Sequence, residues 1–133
     1  MEYLLDTNIC IYIIKKKPVN VFEKFKTLEI GSIGISSITL AELRYGIMKS
    51  SDIEKNSVAL ERFITPLDII DFDTNAAIEY GKIRADLEKK GTPIGPLDML
   101  IASHAKSLDL TLVTNNEREF NRISELKIEN WTL

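Results

Sequence analysis

Short apolar runs alternate along this chain with longer stretches whose apolar residues recur at spacings of three and four. The runs read as buried strands and the spaced stretches as amphipathic helices. Tyr3-Leu4-Leu5 is a strand ending at Asp6, and Thr7 and Asn8 are good N-caps for a helix carrying Ile9, Ile11, Tyr12, Ile13 and Ile14. Lys15 to Lys17 suit the negative end of that helix, and Pro18 opens a second one with Val21, Phe22, Phe25 and Leu28. Ile33-Gly34-Ile35 is the second strand. Thr39-Leu40-Ala41-Glu42 then has a capping-box layout, continued by Leu43 and Ile47. Ser51-Asp52-Ile53-Glu54 starts a helix predicted to reach Phe63 or Ile64, ahead of Pro66. Leu67 to Phe72 is the third strand, and Asp73 or Thr74 caps a long helix that stops at Gly91. Pro96 belongs to the first turn of a helix with Leu97, Leu100, Ile101, Ala105 and Leu108. Thr111-Leu112-Val113 is the fourth strand, Thr114 to Glu117 has the capping layout before a short helix, and Lys127 to Trp131 is a final edge strand. The alternation predicts an α/β fold: a three-layer α/β/α sandwich around a short parallel sheet of four to five strands.

The 133 residues fit a single domain spanning 1–133, long enough to bury a core without staples. One cysteine, Cys10, allows no internal disulfide and suits a reducing cytoplasm. No run approaches the ~18 apolar residues of a membrane span, and the start lacks the layout of a signal peptide. The expectation is a mature, soluble, cytoplasmic chain with no membrane partner. The net charge of −3 argues only weakly against nucleic acid, because Lys15–Lys17, Lys82, Arg84, Lys89, Lys90, Arg118 and Arg122 could form a local basic rim.

The pattern also places acids at element ends: Asp6, Glu42, Asp98 and the pair Glu117 and Glu119. Taken singly, an acid in a first helical turn is explained by the helix dipole, at roughly 0.3–1 kcal/mol. Taken together they are harder to explain that way. In a parallel sheet, ligand sites lie outside the carboxyl ends of the strands, and these acids follow strands or open the helices between them. Carboxylates crowded on one edge raise one another's pKa unless a cation lies between them. An all-oxygen set suits Mg²⁺, which keeps several waters, and points to phosphodiester hydrolysis, since glycosidases need only two carboxylates. The lone His104 reads as a surface or packing residue, and Cys10, amid isoleucines, as a small buried hydrophobe. No phosphate-binding loop or nucleotide-binding glycine fingerprint is present.

Leu4-Leu5-Asp6-Thr7-Asn8, Thr39-Leu40-Ala41-Glu42-Leu43, Ile94-Gly95-Pro96-Leu97-Asp98-Met99-Leu100-Ile101-Ala102 and Leu112 to Phe120 resemble, in order and spacing, the motifs of the PIN domain, and more narrowly the VapC toxin branch of type II toxin–antitoxin systems. The resemblance implies a Mg²⁺- or Mn²⁺-dependent endoribonuclease acting on tRNA or other structured RNA and inhibiting translation. Asp6, Glu42 and Asp98 match the family's core acids. Many members have an aspartate at the position of Asn116, so Glu119 is the expected substitute ligand, with Glu117 behind it, while Asn116 binds through its amide oxygen or orients a water. Asn8 and Thr114 match supporting polar positions. The resemblance further implies a cognate antitoxin whose C-terminal segment covers the first helices, with Ile11, Tyr12, Ile14 and Leu43 as its groove, a homodimer, and DNA contact only indirectly through the antitoxin. Two alternatives stand beside it: an inactive member that binds only RNA or a partner, and a receiver-like Mg²⁺-binding signalling domain, which would need a lysine that Thr114-Asn115-Asn116 does not supply.

Overall fold

The computed structural model describes residues 1–133. In chain order the elements are β1 (Tyr3–Leu5), α1 (Thr7–Lys15), α2 (Val19–Lys26), β2 (Ile33–Ser36), α3 (Ser37–Met48), α4 (Ile53–Ile64), β3 (Asp68–Ile70), α5 (Thr74–Lys90), α6 (Pro96–Ser107), β4 (Thr111–Val113), α7 (Glu117–Phe120) and β5 (Ile128–Glu129). All four strand pairings are parallel, in the order β3-β2-β1-β4-β5.

The strand residues alternate between two cores, as a two-residue period requires. Tyr3, Leu5, Ile33, Ile35 and Val113 point into one, with Ile9, Cys10 and Ile13 of α1, Val21 of α2, Leu43 of α3, and Leu60 and Phe63 of α4. Leu4 and Leu112 point into the other, with Ile83 and Leu87 of α5, Met99, Ile101 and Ala105 of α6, and Phe120 of α7. Helices therefore cover both faces, the predicted three layers. Both faces being covered is why the strands read as continuous apolar runs.

Most predicted boundaries hold; β3 and β5 are shorter than the predicted Leu67–Phe72 and Lys127–Trp131, and the other exceptions lie at caps. Asp6, and neither Thr7 nor Asn8, caps α1: its Oδ1 accepts from the Ile9 N–H at 3.0 Å. Ser36 caps α3 through a 3.1 Å bond from the Ile38 N–H, so the helix starts before Thr39 and the capping box around Glu42 does not form. The layout at Thr114–Glu117 likewise fails as a box, because α7 begins at Glu117 itself. A four-residue pattern matches a box wherever it falls, but only the first helical turn has free N–H groups to satisfy. His104 is fully buried, which removes the surface reading, and Cys10 is buried as expected.

Gly34 shows how tightly the sheet is set. A Cβ there would lie 2.8 Å from Met1 Sδ, 3.0 Å from the Asp68 carbonyl oxygen and 3.1 Å from Ile70 Cδ1. The Asp68 carbonyl belongs to the β2–β3 pairing and cannot yield. Gly34→Ala is expected to lower stability by about 1–3 kcal/mol, read as an earlier urea midpoint with an unchanged slope.

Candidate metal centre

The strand order locates the crevice. From β1 the chain adds β2 and then β3 on one side, and only afterwards β4 and β5 on the other. The carboxyl ends of β1 and β4 therefore diverge into a topological switch point, where parallel sheets bind ligands. Asp6 follows β1 directly, and its backbone N–H still donates to Val113 of β4 at 3.0 Å. Thr114, Asn116 and Glu119 follow β4. The order also differs from the 2-1-3-4-5 order of receiver-type sheets.

Asp6 is 5% exposed. Burial raises its pKa above the ordinary carboxylate value. Hydrogen bonds from the Thr114 hydroxyl and the Ile9 and Asn8 amides oppose the rise, while the Glu42 charge adds to it. The Thr114 oxygen accepts in turn from the Asn116 N–H at 3.0 Å, so one hydroxyl ties the loop after β4 to Asp6. Asn8 contributes its backbone; its side chain is exposed.

Glu42 lies in the second turn of α3, where no helix end explains an acid. Its Oε1 accepts a 2.9 Å bond from the Thr7 hydroxyl. Thr7 escaped the sequence reading because it passed as a cap; its place directly after Asp6 was the available signal. Asp98 sits in the first turn of α6 after Pro96, as predicted. Its pKa is pushed up to about 6, by burial first and then by the charges of Glu119, Asp6 and Glu42, with a hydrogen bond to Glu119.

Four acids from four separate segments thus lie within electrostatic reach of one another: Asp6, Glu42, Asp98 and Glu119. Glu117, two residues before Glu119 on α7, is not among the charges that raise Asp98. Asn116 donates its side-chain amide to Glu119 Oε2 at 2.9 Å, which orients Glu119 and commits one end of the amide. No three His, Cys, Asp or Glu side chains close on a common point as a preformed metal cage would. With no Cys or His among them, the four acids do not make a structural zinc site; a hard cation would complete its shell there with water. The donors are all oxygens, the set that Mg²⁺ and Mn²⁺ prefer.

An apolar groove of about 300 Å³ opens beside Glu42, lined by Ile11 and Ile14 of α1, Leu43 and Ile47 of α3, and Ala59 and Leu60 of α4. Three of the four residues predicted for such a groove line it. Tyr12 does not; its hydroxyl accepts from Asn115 Nδ2 at 2.9 Å. Four of the nine residues of the expected basic rim are engaged elsewhere: Lys82, Arg84 and Lys90 pair with acids of their own helix, and Arg122 donates to the Pro93 carbonyl. No helix is long and apolar enough to cross a membrane.

Comparison with known proteins matches residues 3–126 to the family model of the PIN domain. The chain is 51% identical over 131 residues to the tRNA(fMet)-specific endonuclease VapC of Salmonella typhimurium, covering 98% of each. It is 49% identical over 132 residues to ribonuclease VapC2 of Rickettsia felis, again covering 98% of each. Among solved structures it resembles a chain of the DNA-bound VapBC of Salmonella typhimurium, with a TM-score of 0.93 at 50% identity over 98% of each chain. VapBC2 of Rickettsia felis, bound to a promoter DNA fragment, contains a chain with a TM-score of 0.92 at 48% identity, covering 98% of this chain and 99% of that one.

Proposed function

This chain belongs to the PIN domain family, among the VapC ribonucleases, and from that premise we propose that it is the toxin of a toxin–antitoxin pair, a divalent-metal-dependent endoribonuclease that hydrolyses phosphodiester bonds in tRNA and so stops translation in the cytoplasm. The observation that carries the reading is the convergence of Asp6, Glu42, Asp98 and Glu119 at the β1/β4 switch point, where burial first and then the charges of the other three lift Asp98 to about 6.

Asp6, Asp98, Glu42 and Glu119 are the residues that would hold Mg²⁺ or Mn²⁺. When bound, the ion polarises the scissile phosphoryl group and acidifies an attacking water. The protein's part is orientation. Thr114 and the Ile9 amide fix Asp6, Thr7 fixes Glu42, and Asn116 fixes Glu119. Asn116 serves in this reading as a support for a ligand, with its oxygen free to orient a water.

The choice of tRNA follows the 51% identical relative named as a tRNA(fMet)-specific endonuclease. Sequencing RNA 5′ ends after induced expression tests it. New ends concentrated in one tRNA, and absent with Asp6→Asn, are the expected result; ends scattered over messenger RNA would remove the tRNA assignment.

The antitoxin reading rests on the apolar groove that borders Glu42, and on similar chains solved as VapBC complexes. A segment laid along Ile11, Ile14, Leu43 and Ile47 would end against the carboxylates and block them. Ile47→Glu is expected to weaken antitoxin binding by at least about 2 kcal/mol, because it buries a charge in an apolar contact. RNA cleavage by the free toxin should be unchanged, so co-expressed antitoxin should no longer rescue growth. Binding of wild-type strength would move the antitoxin elsewhere. In this reading DNA is reached only through the antitoxin, and the toxin is a homodimer, which light scattering of the purified chain measures directly.

A further inference from the structure

The only histidine of the chain is fully buried, and the chemistry described above does not use it. His104 lies on α6, six residues beyond Asp98. Its Nδ1 is 2.7 Å from the hydroxyl of Ser36, itself fully buried. Ser36 is the N-cap of α3, the helix on which Glu42 lies six residues further on. Six helical residues rise about 9 Å. One hydrogen bond therefore joins the two helices that carry Asp98 and Glu42, six residues along the chain from each acid.

The donors can be assigned. The Ser36 oxygen already accepts the Ile38 N–H at 3.1 Å. Burial holds the His104 pKa below its ordinary value, against the pull of Asp73 and Asp71, so the ring is neutral near pH 7. A neutral ring with an unprotonated Nδ1 accepts the Ser36 hydroxyl proton. Nε2 then carries the ring proton and faces the backbone of Asp71, short of full hydrogen-bond geometry. Phe72, just after β3, meets the imidazole edge-on at 5.4 Å between centroids. Its N–H donates to Ser37 Oγ at 3.1 Å, so the segment after β3 is tied into the same junction.

This is an expensive way to fill space. A leucine or phenylalanine would occupy the volume without burying a polar ring whose second N–H is poorly satisfied. What the imidazole adds is direction: a hydrogen bond fixes distance and angle between two helices, whereas apolar packing alone lets them slide. Glu42 and Asp98, one on each of these helices, repel each other, so a fixed point between the helices has mechanical value.

We propose that His104 is a positioning residue for the metal centre: its bond to Ser36 locks α6 to the start of α3 and thereby sets the spacing of Asp98 from Glu42. The proposal rests on the reading of those carboxylates as metal ligands, and the test separates the two. Calorimetric titration of the full chain with Mn²⁺ reads the site without RNA. His104→Phe keeps the volume and the ring contact with Phe72 but deletes the acceptor; Ser36→Ala deletes the donor and keeps the ring. Each should weaken Mn²⁺ binding by about five-fold or more, the scale seen when supporting hydrogen bonds around a metal site are removed. The double variant should bind no more weakly than Ser36→Ala alone, which already lacks the shared bond as well as the cap on the Ile38 N–H. His104→Asn, whose amide reaches the Nδ1 position, should return to within about two-fold of the wild type.

Leu87→Ala, which opens a core cavity on α5, should lower the melting temperature and leave Mn²⁺ affinity alone. Wild-type affinity in folded His104→Phe or Ser36→Ala overturns the proposal. So does an equal loss in Leu87→Ala, because the effect would then be general softening. A wild-type chain that takes up no Mn²⁺ removes the metal centre itself, and this proposal with it.

Discussion

Asp6→Asn is expected to fold like the wild type and to cleave RNA more slowly by more than about 100-fold, a greater loss than removal of supporting hydrogen bonds around a metal site produces. The substitution is informative because Asp6 has two jobs that asparagine separates. As the N-cap of α1 it accepts the Ile9 N–H, and asparagine caps helices as well as aspartate does. As a buried carboxylate at the switch point it carries charge, and asparagine does not. Circular dichroism and the urea midpoint should therefore stay close to wild type. Loss of Coulombic repulsion with Glu42 and of the cost of burying a charge should even raise stability in chelator. Asp6→Ala would lose the cap as well, at about 1 kcal/mol, and would confuse the two roles. A purified Asp6→Asn protein that cuts RNA at the wild-type rate would remove Asp6 from the reaction.

The second large effect is a pH-dependent response to metal. Asp98 titrates at about 6 in the folded chain, above the ordinary carboxylate value, so folding favours its protonated form. Between about pH 4 and pH 6 the unfolded chain releases this proton first; the contribution of Asp98 to stability therefore falls as pH rises through that window and stays low above it. Asp6, also raised, acts in the same sense. A divalent cation replaces the missing proton. At about 100 times its dissociation constant it stabilises the fold by roughly 2.7 kcal/mol, which for a chain of this size is about 10 °C in melting temperature. Mn²⁺ is expected to give that shift at pH 7.5 and a much smaller one at pH 5, where protons hold the site. His104, with its lowered pKa, loses stability in acid instead. Comparing the same pH with and without Mn²⁺ cancels its contribution. Equal shifts at both pH values would mean that the ion binds away from Asp98 and Asp6.

Why the cluster needed the fold to be seen is clearest at Glu42. Along the chain it occupied the glutamate place of a capping box, a sufficient reason for an acid. The helix start at Ser37 withdrew that reason and left the bond from Thr7, a residue that had passed as a cap. Asp98 went the other way: its first-turn place held, and its unusual state came from burial and then from charges far along the chain. His104 gave no local sign at all, because its partner lies 68 residues away.

Local patterns determined what depends on near neighbours. Apolar runs and helical spacing produced the strands and helices, their order implied parallel pairing, and four spaced motifs together carried the family. Whatever depends on which distant segments meet was decided only in three dimensions: the order β3-β2-β1-β4-β5, the crevice between β1 and β4, the partners of each carboxylate, and the joining of α3 to α6 through Ser36 and His104. Hydrophobic periodicity reports how far a residue is from water, and it says nothing about which buried face it meets. A site held together by mutual charge and long-range hydrogen bonds is therefore written along the chain as separate acids, and acquires its chemistry only when the sheet brings them to one edge.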